Sequence, residues 1–157
     1  MKINDLVKGV YVSADFDAGT KRSLYAWAKL NAIPSVIASD KFHCTVLYSR
    51  KDVPNVTEIV QHVAPATIKI KPLNFNKFDE DKVLVLELES SALSSLHKSL
   101  IANGGTHDYE SYTPHVTLSY KLPAEYDISE LMIPEFEFRV DRLVIEPLDL
   151  EWPEARK

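Results

Sequence analysis

The sequence predicts an α+β fold carried on a largely antiparallel sheet. Alternating, strand-like segments outnumber helical stripes, and two of them are separated only by a short acidic turn, as in a hairpin. At 157 residues the chain also has the length of one compact unit. A single domain over residues 1–157 is expected. Hydrophobic residues make up 45% and charged residues 26%, a globular balance far from that of a disordered chain.

Residues 9–15, GVYVSAD, alternate Val10, Val12 and Ala14 with Tyr11 and Ser13, the period of a half-buried strand. Asp17 or Thr20 then caps a helix over residues 21–32, with Leu24, Trp27, Ala28 and Leu30 at helical spacing and Pro34 as the stop. Residues 42–49, FHCTVLYS, return to strand composition, and the stretch around Pro54 breaks it. Val56, Ile59, Val60 and Val63 form a second helical stripe that ends at Pro65.

Residues 67–78 alternate Ile68 and Ile70 with Lys69 and Lys71, and residues 82–89, KVLVLELE, alternate again. The two pair as a hairpin turning at Asp79, Glu80 and Asp81. A third helix over residues 90–103 carries Leu93, Leu96, Leu100 and Ile101 and is terminated by Gly104 and Gly105. Residues 115–121 and 136–145 read as the last strands.

Composition excludes several classes. Eighteen Lys and Arg against 23 Asp and Glu give a charge of -5, which argues against coating a long nucleic acid through its phosphates. Cys44 is the only cysteine, so neither an intrachain disulfide nor a cysteine-built zinc site is available, and a reducing compartment is expected. The N-terminus lacks the pattern of a signal peptide, and no apolar run approaches the ~18 residues that span a bilayer. A soluble, intracellular protein without a membrane role is the expectation.

Two segments carry chemistry. Phe42-His43-Cys44-Thr45-Val46-Leu47-Tyr48 and Pro114-His115-Val116-Thr117-Leu118-Ser119-Tyr120 share one pattern, with His115 following His43 by 72 residues (115 minus 43), close to half the chain. Duplication of a half-domain is suggested. Random placement gives only about 0.2 His-x-Thr triplets in a chain of this composition. On a strand, His43 and Thr45 share one face and Cys44 lies on the other, so a Cys-His nucleophilic pair is geometrically poor. His115 and Thr117 share a face in the same way. Two imidazoles with two hydroxyls suit the breaking of a phosphodiester, which needs one group to accept a proton, another to donate one, and fixed donors for the phosphate oxygens. Tyr11, Tyr112 and Trp152 are candidate stacking partners for bases, with core packing the competing role for the two tyrosines. Glu146 can accept from an exocyclic amine. His62, His97 and His107 read as surface residues, Trp27 as core, and Lys69 and Lys71 as solvated.

The paired motifs resemble the two His-x-Thr/Ser signatures of the 2H phosphoesterase superfamily. Within it the whole chain resembles the phage anti-CBASS cyclic-oligonucleotide phosphodiesterases, which degrade the messengers that trigger bacterial antiphage defence. This resemblance implies a bilobal α+β fold, in which two pseudo-symmetric, mostly antiparallel lobes with helices packed outside each bring one motif strand to a central cleft. It implies catalysis by His43, Thr45, His115 and Thr117 without a metal or other cofactor, and a tail containing Glu146 and Trp152 that helps read the base. The implied reaction is hydrolysis of 3′–5′ bonds in cyclic di- and oligonucleotides to linear 3′-phosphate products, in the bacterial host cytoplasm and with no obligate protein partner. An RNA-processing 2′,3′-cyclic phosphodiesterase and a non-catalytic sponge are the alternatives.

Overall fold

The computed structural model describes residues 9–109 and 111–148. In chain order these form strand β1 (Gly9–Phe16), helix α1 (Ala18–Leu30), strand β2 (His43–Ser49), helix α2 (Val56–Gln61), strands β3 (Lys71–Phe78) and β4 (Val83–Glu89), helix α3 (Ser91–Ala102), and strands β5 (His115–Ser119) and β6 (Val140–Leu148). All six strands join one antiparallel sheet in the order β3-β4-β5-β2-β1-β6. The α+β class is therefore the observed one.

The order is symmetric about its middle. β1-α1-β2 on one side matches β4-α3-β5 on the other, and β6 and β3 flank β1 and β4 as the outer strands. The register repeats at the same 72-residue interval: Ser13 faces Thr45 and Asp15 faces His43, while Val85 faces Thr117 and Glu87 faces His115. Even the register shifts correspond, between Val12 and Ser13 in one half and between Leu84 and Val85 in the other. Between the two central strands Cys44 and Val116 are the one ladder pair among the described residues, with isolated bridges Val36–Ser119 and Ile70–Phe138 beyond it, so the lobes meet along a narrow seam. Pro72 and Pro147 occupy the outer strands, where a missing N–H leaves no ladder bond unmade.

One face of the sheet is apolar. Val12, Ala14, Cys44, Val46, Val116 and Leu118 are buried there with Leu24 and Ala28 of α1 and Leu93, Leu96 and Leu100 of α3. Period-two alternation then forces His43, Thr45, His115 and Thr117 onto the opposite face. Burial pushes the Cys44 thiol up to about 12, so it is a core residue and not a nucleophile.

Several boundaries differ from the sequence expectation, each for a local reason. Helix α1 starts at Ala18 because Asp17 is the cap, accepting from the Thr20 N–H at 2.7 Å. Thr20 is itself buried, and its hydroxyl accepts from the Arg139 N–H at 2.9 Å. The buried row is Thr20, Leu24 and Ala28; Leu30 lies off it and is 86% exposed, contrary to its place on the expected stripe. Ser90 caps α3 by accepting from the Leu93 N–H at 3.2 Å, and the helix ends where Gly104 turns to φ +110° and the Gly105 N–H reaches the Leu100 carbonyl at 2.9 Å.

β3 begins at Lys71, later than its alternation suggested, because residues 65–67 form a 3₁₀ turn. β5 ends at Ser119, short of the expected Lys121. The last strand is displaced to Val140–Leu148, because Phe138 is spent on packing against Phe16 and Phe136 at ring distances of 5.7 and 5.2 Å and joins Ile70 only by an isolated bridge. No described helix is long and apolar enough to cross a membrane.

Candidate active site

The two motif strands lie side by side at the centre of the sheet, and an antiparallel register through Cys44 and Val116 sets His43 alongside Thr117 and Thr45 alongside His115. The four side chains that the sequence singled out thus share one face of two neighbouring strands. Each ring is anchored identically: His43 Nδ1 lies 2.8 Å from the Lys41 carbonyl and His115 Nδ1 lies 3.1 Å from the Thr113 carbonyl, two residues upstream in both cases. A carbonyl only accepts, so each Nδ1 carries the hydrogen. In the neutral ring the lone pair is then on Nε2.

The halves differ around these rings. Tyr11 Oη sits 3.0 Å from His43 Nε2 and 2.6 Å from Thr45 Oγ1, linking histidine and threonine of one motif through a phenol. Burial pushes that phenol up to about 12, so it stays protonated at neutral pH. Its equivalent at the 72-residue interval is Val83, which has no hydroxyl. His115 instead has Phe78 edge-on against its ring at 5.9 Å.

Tyr112 donates its hydroxyl to the Thr45 carbonyl at 2.7 Å, and its ring stacks on His97 at 4.2 Å with a 9° interplanar angle. Burial drives its phenol far above the ordinary range. Glu146 is exposed in β6 and faces Tyr11 across the β1–β6 ladder, which puts the two on one side of the sheet. Trp152 lies outside the described residues. Lys69 and Lys71 are exposed, bordering a shallow groove of about 560 Å³ beside the N-terminus of α3.

His97 corrects the surface assignment. It is 6% exposed, and its Nδ1 donates to the Val46 carbonyl at 2.7 Å. Its helical position could be read from sequence, but its depth depends on a partner 51 residues away. His107 is also half-buried, edge-on to His97 at 4.6 Å. His62 is exposed as expected, and Trp27 is half-buried against Phe75 at 5.5 Å. Burial lowers the His97 pKa, helped by the neighbouring His107, against the opposing bond to Val46. The unfolded chain therefore takes up this proton first, and stability contributed by neutral His97 is present above the ordinary histidine value of about 6.5 and lost as pH falls below it. Thermal unfolding followed from pH 7.5 to 5 is expected to show a falling Tm, with a shallower fall in His97→Asn.

Two carboxylates beside the histidines were not singled out from the sequence. Asp15 pairs with Lys21 at 2.8 Å and with Arg142 Nε at 3.3 Å. Glu87 accepts from Asn74 at 2.7 Å and from Asn76 at 3.3 Å. The signal was present, since 87 minus 15 is the same 72 that separates the motifs, but it becomes visible only once the strands preceding each helix are aligned.

A six-stranded antiparallel sheet with a His-x-Thr strand from each half at its centre is the fold that the resemblance to the 2H phosphoesterases implied. The fold is shared with E. coli LigT complexed with NADP+ (TM-score 0.62, 14% identity, covering 90% of this chain and 88% of that one). It is shared also with the MHV ns2 PDE domain (TM-score 0.59, 14% identity, 90% and 99% covered). Residues 8–155 match the family model described as anti-CBASS protein Acb1. The anti-CBASS protein Acb1 of Vibrio phage KVP40 is 38% identical over 156 residues, 97% of each chain. That of Enterobacteria phage T4 is 32% identical over 157 residues, 100% of this chain and 99% of the other. The chain belongs to the Acb1 family of anti-CBASS proteins.

Proposed function

We propose that the protein hydrolyses 3′–5′ bonds of cyclic di- and oligonucleotide messengers to linear products with 3′-phosphate ends, using its own side chains and no metal. The observation that carries this reading is the pair of identically anchored imidazoles on one face of adjoining strands. One histidine removes the proton of a ribose 2′-hydroxyl, whose oxygen attacks the adjacent phosphorus; the other protonates the departing 5′-oxygen. Water then opens the 2′,3′-cyclic phosphate with the two roles exchanged. Thr45 and Thr117 hydroxyls donate to the non-bridging oxygens as charge grows there.

Glu146, exposed beside Tyr11, accepts from an exocyclic amine of the base, and the rings of Tyr11 and Trp152 give it flat surfaces to stack on. Tyr112 serves from beneath, because its hydroxyl and one ring face are engaged by Thr45 and His97. A nucleotide-sized cleft fits the fold, since E. coli LigT has been seen complexed with NADP+ and with 3'-AMP. The net charge of -5 favours a small messenger over long RNA.

Chromatography of a panel of cyclic di- and trinucleotides, with a 2′,3′-cyclic mononucleotide for comparison, tests the reading. Cleavage to linear 3′-phosphate products that persists in excess EDTA is expected. Turnover of the mononucleotide alone would overturn the substrate class, activity lost to the chelator would overturn the metal-free chemistry, and recovery of intact ligand from denatured complexes would make the protein a sponge.

A further inference from the structure

The two motif strands are equivalent by register and anchoring but not in what meets each Nε2. On the first, Tyr11 bridges His43 Nε2 and Thr45 Oγ1 at 3.0 and 2.6 Å. On the second, valine stands where the phenol would be. The neighbouring carboxylates differ too. Asp15, opposite His43, is engaged by two cations, Lys21 and Arg142, whereas Glu87, opposite His115, is met by two neutral amides, and no cation pairs with it among the described residues.

We infer that Tyr11 makes the two histidines inequivalent in the cleavage step: it holds His43 as the general base, which leaves His115 as the general acid. This rests on the reaction proposed above and deepens it.

Before substrate arrives, Thr45 O–H donates to Tyr11, and Tyr11 O–H donates to His43 Nε2. With Nδ1 committed to the Lys41 carbonyl, that arrangement requires a neutral ring with its lone pair on Nε2. As Tyr11 turns its O–H away from Nε2, the substrate 2′-hydroxyl gives its proton to the freed lone pair while its oxygen bonds to phosphorus. The new Nε2–H then donates to Tyr11, Tyr11 donates to Thr45, and the Thr45 hydroxyl is released to donate to a phosphate oxygen at the moment that oxygen gains charge. On the other side the P–O5′ bond breaks and the 5′-oxygen takes the Nε2 proton of His115. The residue that sets this polarity is a positioning residue, since it acts through His43 and Thr45.

A cyclic dinucleotide with one 5′-bridging sulfur in place of oxygen tests the assignment, because a thiolate leaves without being protonated. His115→Ala is expected to lose oxygen-substrate cleavage and to recover at least ~10-fold on the sulfur linkage, while His43→Ala stays inactive on both. Tyr11→Phe keeps the ring but not the hydroxyl; its kcat should fall ~10-fold or more with KM little changed, on both linkages. Rescue of His43→Ala instead of His115→Ala would overturn the assignment, as would a Tyr11→Phe enzyme with wild-type kcat. A wild-type enzyme that cleaves neither linkage would overturn the proposed function itself, a result distinct from swapped rescue.

Discussion

His43→Ala and His115→Ala are each expected to lower kcat on a cyclic dinucleotide by about 10²- to 10⁴-fold, the range for removing a positioned acid or base. Both rings are solvent-accessible, with His43 exposed and His115 half-buried, so neither truncation opens a core cavity and each variant should keep the wild-type Tm within a few degrees. The double variant should be little worse than either single one, because acid and base act in one transition state and removing either disables the step. Steady-state kinetics on the oxygen substrate, with thermal unfolding as the control, measures this. A fully active single variant would show that the shared face of β2 and β5 is not where the bond breaks.

Thr45→Val and Thr117→Val follow, with expected losses of about 10²- to 10³-fold in kcat, typical of deleting one preorganised donor to developing oxyanion charge. Valine preserves the branched shape that a strand accepts, so the loss reads the hydroxyl and not the packing. The two need not be equal. Thr45 Oγ1 is also the partner of Tyr11, so Thr45→Val frees the phenol from one of its two bonds and disturbs His43 as well. Thr45→Ser and Thr117→Ser should restore most activity. Equal kcat in Val and wild-type enzymes at either position would remove that hydroxyl from the mechanism.

The face shared by the two His-x-Thr motifs was legible because a strand has a fixed period of two. Once His43 and Thr45 are placed on a strand, their common face follows, and so does the burial of Cys44 behind them. The hairpin at Asp79–Asp81 was legible from alternation on both sides of a short polar gap, although φ values of +51°, +56° and +66° across three non-glycine residues were not. The exposure of Leu30 and the burial of His97 were not legible in the same way. A short helix has several apolar residues near its buried row, and only the docked sheet decides which are covered; α1 covers Leu24 and Ala28 and leaves Leu30 in water. His97 became a core residue because a carbonyl of β2 lay within reach of its Nδ1.

Sequence alone determined the class of fold, the location of both motifs, and the side of the chain on which their chemistry would lie, since all three depend on local period and spacing. Tertiary structure decided that the motifs adjoin, that Tyr11 ties His43 to Thr45, and that Asp15 and Glu87 have partners of unlike charge. Those facts join residues between 6 and 127 positions apart, counting from Asp15–Lys21 to Asp15–Arg142. Their meeting is set by strand order and register, which come from burying the apolar face of the whole sheet at once and leave no periodic trace in any one segment.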